Sequence, residues 1–197
     1  MWLRPDSRRA RGASLVELVV FIVVVSVGVA GVLSALNAAT RGSPDPMLQK
    51  QALAIAESLL EEVLLQPFTF CDPDDPQAAT ATSNAVGPAG CSAAATVEGL
   101  GAEGAENRYG AGGAFFDNAS DYHGYDSATE GGLRDISNTL IGLAGYRATI
   151  AVGAADLGAI TAASGEALLV TVTVTAPGNT TVVLQGFRTR YAPNALP

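Results

Sequence analysis

Hydrophobic and polar positions divide the chain into regions of different period. Residues 15–36 are apolar almost without interruption, and Glu17 is their one charged side chain. As a helix this run of roughly 22 residues would be about 33 Å long, enough to cross the hydrocarbon core of a bilayer. Its valines would suit a buried strand, but strands rarely exceed about ten residues, so length selects the helix. Gly42, Pro44 and Pro46 then interrupt the pattern. A proline cannot donate to a helix ladder, so either one long helix kinks there or a second starts with Asp45 as N-cap and Pro46 at its first position. From 47 to 66, Leu48, Ala52, Ile55, Leu59 and Val63 recur at spacings of three and four, the stripe of an amphipathic helix. Ala54, Ala56, Leu60 and Leu64 widen that stripe, as a helix needs when it packs on a sheet and also against neighbouring helices. Pro67 ends it.

Residues 67–145 lack a period. Cys71-Asp72-Pro73-Asp74-Asp75-Pro76 reads as turns, and 78–113 is dominated by Ala, Gly, Ser and Thr, which predicts a long surface loop. Gly99-Leu100-Gly101-Ala102-Glu103-Gly104 is formally GxGxxG, but no strand–turn–helix pattern surrounds it, so it is not read as a nucleotide fingerprint. From Tyr146 the period becomes two. Tyr146, Ala148, Ile150 and Val152 share one face, as do Leu168, Val170, Val172 and Val174, and Pro177-Gly178-Asn179 marks a hairpin before a last strand that ends near Tyr191. A short helix is expected around 155–160. Arg188 and Arg190, two apart, are expected on one exposed face, for solvation and edge protection or for a subunit contact with the acidic loops. The whole predicts an α+β fold: a long N-terminal hydrophobic helix, kinked near Pro44/Pro46, whose C-terminal half packs on a small antiparallel sheet.

Charge and cysteine usage narrow the setting. Eleven Lys and Arg against nineteen Asp and Glu give a net charge of −8. Arg4, Arg8, Arg9 and Arg11 precede the apolar run, which places the N-terminus in the cytoplasm and the rest outside it by the positive-inside rule. The acidic remainder argues against nucleic acid as a partner. Cys71 and Cys91 then face an oxidising compartment, where a disulfide is the default and would stabilise by roughly 3 kcal/mol in the loop-entropy model. A metal pair is the alternative, although the chain has only one histidine, His123. There is no GxSxG and no P-loop, and Lys50 is the only lysine, so no nucleophile–base pair or phosphate cradle suggests an enzyme.

Glu17 carries the chemistry of the N-terminal region. A carboxylate near the end of a membrane helix costs roughly 2.5 kcal/mol or more unless it is hydrated or paired. In the first turn the helix dipole favours it. It either stays hydrated at interface depth or awaits a cation from another chain. Gly12, Ala13, Ser14-Leu15-Val16, Glu17 and the unbroken apolar helix together resemble the N-terminal signature of the type IV pilin and pseudopilin family. The resemblance implies that a prepilin peptidase cuts between Gly12 and Ala13 and methylates the amine of Ala13, and that Glu17 pairs with the N-terminal amine of a neighbouring subunit during assembly. Ala13 departs from the phenylalanine usual at that position. Removing residues 1–12, which hold four Arg and Asp6, makes the net charge more negative by three, about −11. The family also implies a pilin-like roll. Residues 13–36 would form the transmembrane or filament-core helix and 37–197 a periplasmic or extracellular head, made of a helix over 47–66, a variable region over 67–145 and strands over 146–191.

Residues 51–62, Asp121-Tyr122-His123-Gly124 and the terminal Arg188-Thr189-Arg190-Tyr191-Ala192-Pro193 are similar to minor pilins of MSHA (mannose-sensitive haemagglutinin) pili. This implies other pilin subunits, a prepilin peptidase and the inner-membrane pilus assembly machinery as partners, and a surface filament for adhesion or motility as destination. A minor pseudopilin of type II secretion and a membrane-anchored binding domain that does not polymerise remain alternatives. So does a secretory signal peptide, for which Val29-Ala30-Gly31 and Ser34-Ala35-Leu36 give weak cleavage sites. No cofactor is expected, with one candidate exception. Residues 115–126 concentrate aromatics and carboxylates, and Asp117, Asn118, Asp121 and Asp126 offer hard oxygen ligands for calcium. The other reading is a loop pinned to the sheet by its aromatics, with Asp side chains capping turns.

Overall fold

The computed structural model describes residues 14–41, 45–110 and 114–196, in two units divided after Pro44. The first unit is a single helix, α1, Leu15–Arg41. Its segment Leu15–Asn37 is long and apolar enough to cross a membrane. Valine-rich sequence is a poor helix former in water. In hydrocarbon the balance reverses, because a helix satisfies its backbone groups internally. The large apolar side chains from Leu15 to Leu36 are 44–77% exposed.

The second unit begins with α2, Pro46–Leu65. Of the two readings of the proline break, this start matches the second: the Asp45 carboxylate accepts from the Met47 N–H at 2.9 Å, and Pro46 occupies the first turn. Pro44 lies outside the described residues, and with it any kink there. The helix buries Ala52, Ala56, Leu59 and Val63 and half-buries Leu48 and Ile55, so the expected stripe is rotated slightly towards Ala56. It packs on β2 and β3 of a three-stranded antiparallel sheet, ordered β1 (Arg147–Ala154), β2 (Ala167–Ala176) and β3 (Thr180–Thr189). The alternating faces are as the period of two requires. Ala148, Ile150 and Val152 on β1 and Leu168, Val170, Val172 and Val174 on β2 are buried, and Val172 lies opposite Ile150 on one side and Leu184 on the other. Gly186 admits the helix to β3, because a Cβ there would sit 3.0 Å from Leu64 Cδ1 and 3.3 Å from Leu60 Cδ1. Pro177-Gly178-Asn179 closes the β2–β3 hairpin with positive φ at both Gly178 and Asn179.

Three expectations need correction. Residues 155–160 form no helix; Leu157 and Ile160 exchange backbone hydrogen bonds across a tight turn, and the short 3₁₀ turn comes later, at Ala162–Ser164. Arg188 and Arg190 are half-buried. The Arg190 guanidinium lies 4.0 Å from the Phe68 ring centroid and 4.6 Å from that of Phe70 and pairs with Glu166 at 3.1 Å. Stacking on two rings shields it, so edge protection does not describe it. Lastly, the segment between α2 and β1 is irregular but packed. Phe68, Ala119, Tyr122, Tyr125 and Leu133 join the main core, and Cys71, Ala78, Ala81 and Cys91 form a second small one.

Candidate functional site

Of the residues assigned to assembly, Glu17 stands in the first turn of α1 with its side chain exposed. Gly12 and Ala13, the expected cleavage and methylation positions, lie outside the described residues. On the head, Cys71 and Cys91 are joined by a disulfide. The bridge closes a loop organised on one carboxylate. Asp75 Oδ1 accepts from the Gln77 N–H at 2.7 Å, and Oδ2 accepts from the Ser92 N–H at 2.9 Å, from the Ser92 hydroxyl at 2.7 Å and from the Thr96 hydroxyl. Burial would raise its pKa, but these four donors outweigh it and hold the group down at about 2.

A second anchor joins the irregular region to α2. Arg108 makes a bidentate pair with Glu62, Nε to Oε1 at 2.7 Å and Nη2 to Oε2 at 2.6 Å, and gives Nη1 to the Arg134 carbonyl at 3.0 Å. The Tyr122 hydroxyl donates to Glu62 Oε1 at 2.9 Å, and the Tyr109 and Tyr125 hydroxyls share a hydrogen bond at 3.0 Å. The guanidinium lies within 6 Å of the rings of both Tyr109 and Tyr125. Burial disfavours its charge, yet hydrogen bonds and attraction from Glu62 keep its pKa above the ordinary value. Tyr122 and, through Arg108, Tyr125 thereby fix the path of 115–126 against α2, where the sheet was expected as the anchor.

The structure distributes the four calcium candidates over four sets of partners. Asp126 is paired with Arg147 and accepts from the Ala128 N–H at 2.9 Å. The hydrogen bond from Arg147 holds its pKa below the usual range. The buried Asn118 amide donates to the Thr69 hydroxyl at 2.6 Å. Asp117 approaches Asp72 and Asp74, and Asp121 approaches Glu98 and Glu103. The four therefore do not converge as a ligand set. His123 accepts from the Val152 N–H at 3.2 Å through Nδ1, which ties its loop to β1.

Glu98 and Glu103 were not singled out from sequence, where they sit in a glycine-rich run whose formal GxGxxG draws the eye to the glycines. In the fold, that run lies against 117–121. The Gly101 N–H donates to the Ser120 carbonyl at 3.0 Å, and Ser120 Oγ donates to Glu98 Oε1 at 2.6 Å. Asp121 Oδ2 accepts from the N–H groups of Asp117 at 2.9 Å and Asn118 at 2.7 Å. Glu103 Oε1 accepts from the Gly99 N–H at 3.2 Å. Carboxylate oxygens of Glu98, Glu103 and Asp121 lie within 4.8 Å of one another. Burial pushes the Glu98 carboxyl up, with the Ser120 hydroxyl opposing and the charges of Glu103 and Asp72 adding to the rise. Burial also raises Asp121, reinforced by Glu98. Nearby, burial and Asp117 lift Glu106 to about 7, and burial with Asp72 and Asp74 lifts Asp117 to about 6.

A surface groove of about 660 Å³ runs along α2, between Ile55 and Leu65 on the helix and Leu133, Ile136 and Ile141 on the irregular region. No family model, curated protein or solved structure matches this chain.

Proposed function

We propose that the chain is a minor pilin of an MSHA-type type IV pilus, processed by prepilin peptidase and incorporated into, or priming, a surface filament for adhesion or motility. The observation that carries this reading is α1. It is a helix long enough to span a bilayer, its large apolar side chains are exposed, and its one acidic group, Glu17, sits in the first turn. Each such side chain gains roughly 1.5–3 kcal/mol when taken out of water. A membrane satisfies that demand before assembly, and a bundle of sister helices satisfies it afterwards. A carboxylate moved into such a bundle needs a cation, and the free amine of a neighbouring Ala13 would supply one. The head, with α2 laid on a small antiparallel sheet, is compatible with a pilin-like roll.

Two measurements test the reading in the host cell. N-terminal mass spectrometry should find a chain beginning at methylated Ala13; an intact Met1 would instead mark a simple anchor, and cleavage after the apolar run a secreted protein. Glu17→Gln should remove the chain from sheared surface filaments while leaving its level in the membrane unchanged. Incorporation at wild-type abundance would sink the proposal.

A further inference from the structure

We propose that Glu98, Glu103 and Asp121 form a calcium-binding site on the head, independent of how α1 is used. Two features of the fold point to a ligand there. The first is convergence of oxygens. Two oxygens on opposite sides of a calcium ion, each at 2.3–2.6 Å, are about 4.6–5.2 Å apart. Oxygens of these three carboxylates that lie within 4.8 Å of one another are all within about 2.8 Å of a common point, at most a few tenths of an ångström beyond the calcium–oxygen distance.

The second feature is a buried oxygen with nothing to hold. Asp121 is only 1% exposed. Its Oδ2 is fixed by two backbone N–H groups, which leaves Oδ1 as the oxygen it can offer the cluster, and Oδ1 is buried with no donor among the described residues and only the Glu98 carboxyl shown to interact with the side chain across the cluster. Glu98 repeats the arrangement: Oε1 takes the Ser120 hydroxyl and Oε2 is buried and unpartnered. Native folds seldom leave a buried acceptor in this state, and a buried carboxylate costs more than a neutral group. The charged neighbours increase the cost. Asp72 acts on Glu98 and Glu106 on Asp121 with the same sign. Arg190 opposes them through its interaction with Glu98 but is already paired with Glu166. A divalent ion would complete both orphaned oxygens and cancel most of the repulsion.

Ligand chemistry selects calcium. All donors are hard oxygens carried on loops, a geometry that suits the flexible six- to eight-fold coordination of calcium better than the strict octahedron of magnesium. Water would fill the remaining positions. The adjacent Asp72–Asp74–Asp117 group has no buried orphan oxygen among the described residues and is not assigned an ion.

The test uses the full chain in detergent micelles, stripped with a chelator and titrated with calcium chloride near neutral pH. Calorimetry should show one saturable event with a Kd of about 10⁻⁴–10⁻³ M, the range of extracellular modules, accompanied by a rise in melting temperature. Asp121→Asn and Glu103→Gln should each weaken binding about tenfold or more, because affinity follows the number of ligand charges. Glu57→Gln, on the exposed side of α2, should leave binding unchanged. Glu103 is only half-buried, so its variant decides the matter if Asp121→Asn fails to fold. Silence in the wild type up to about 10 mM calcium, ten times the weakest expected Kd, would mean that Glu98 and Asp121 share a proton instead, and would overturn the site. Equal affinity in Glu103→Gln and wild type would overturn it as well.

Discussion

Asp75 and Asp121 are both buried aspartates in the irregular half of the head, yet their surroundings are opposite. Every oxygen of Asp75 is occupied by donors from its own loop, and its pKa is held at about 2. Asp121 has one oxygen satisfied and one orphaned, with two further carboxylates converging on it, and its pKa is raised, first by burial and then by Glu98. Asp75 is a structural hub: its charge is used to fold a loop that has no helix or sheet to hold it. Asp121 is a carboxyl in a place where the chain does not complete it, and its surroundings disfavour its charge. A chain that can build the first arrangement within twenty residues of a disulfide can evidently satisfy a buried carboxylate, which makes the incomplete one informative.

Perturbations should separate paired from unpaired carboxylates, and the largest effect is expected at the paired Glu62. Arg108→Ala strands that carboxylate against Tyr122 and should destabilise the head by about 3–5 kcal/mol in chemical denaturation, the usual consequence of removing one partner of a buried pair. A loss below about 1 kcal/mol would place the Glu62–Arg108 pair in the class of exposed bridges. Next comes the hub. Asp75→Ala leaves the Gln77 and Ser92 N–H groups without their acceptor and should cost roughly 1.5–3 kcal/mol. Because its folded pKa is depressed, the contribution of Asp75 is present above the ordinary aspartate value and is lost as pH falls towards 2. Asp75→Asn should therefore flatten the acid limb of a melting-temperature profile, and an unchanged limb would assign acid unfolding to other groups.

The raised acids in and beside the cluster should behave with the opposite sign and the smallest magnitude. Raised folded pKa values contribute stability that is complete below the ordinary carboxylate range and is lost as pH rises through the folded values, about 6 for Asp117 and about 7 for Glu106. In chelator, the melting temperature should thus fall between about pH 5 and pH 8, a trend the Asp75 hub cannot produce. Asp121→Asn keeps an acceptor for the two backbone N–H groups and replaces a carboxyl whose charge is already disfavoured, so at neutral pH without calcium it should lie within about 1 kcal/mol of wild type. A loss as large as that of Asp75→Ala would erase the distinction between the two aspartates.

Periodicity made some parts of this molecule legible in advance. A run of apolar residues too long for a strand specifies α1. Spacings of three and four specify α2, and Asp45-Pro46 specifies where it starts, because an N-cap acceptor followed by a residue without an N–H suits only a helix entrance. Alternation specifies the faces of β1 and β2, and Pro177-Gly178-Asn179 specifies the hairpin. These are local rules, in which neighbours along the chain decide the outcome.

Residues 67–145 obey no such rule, and there tertiary structure decided. Nothing in sequence spacing brings Arg108 to Glu62 across 46 positions, or Asp121 to Glu98 across 23. Those meetings depend on a disulfide, on Tyr122 and Tyr125 entering the core, and on Gly101 docking on Ser120. The same dependence explains why Asp126 left the expected ligand set for Arg147, and why Arg190 came to lie on Phe68 and Phe70 when alternation alone had placed it in solvent. Charge and composition stated that the head is acidic; only packing determined which of its acids are satisfied and which are left wanting a partner.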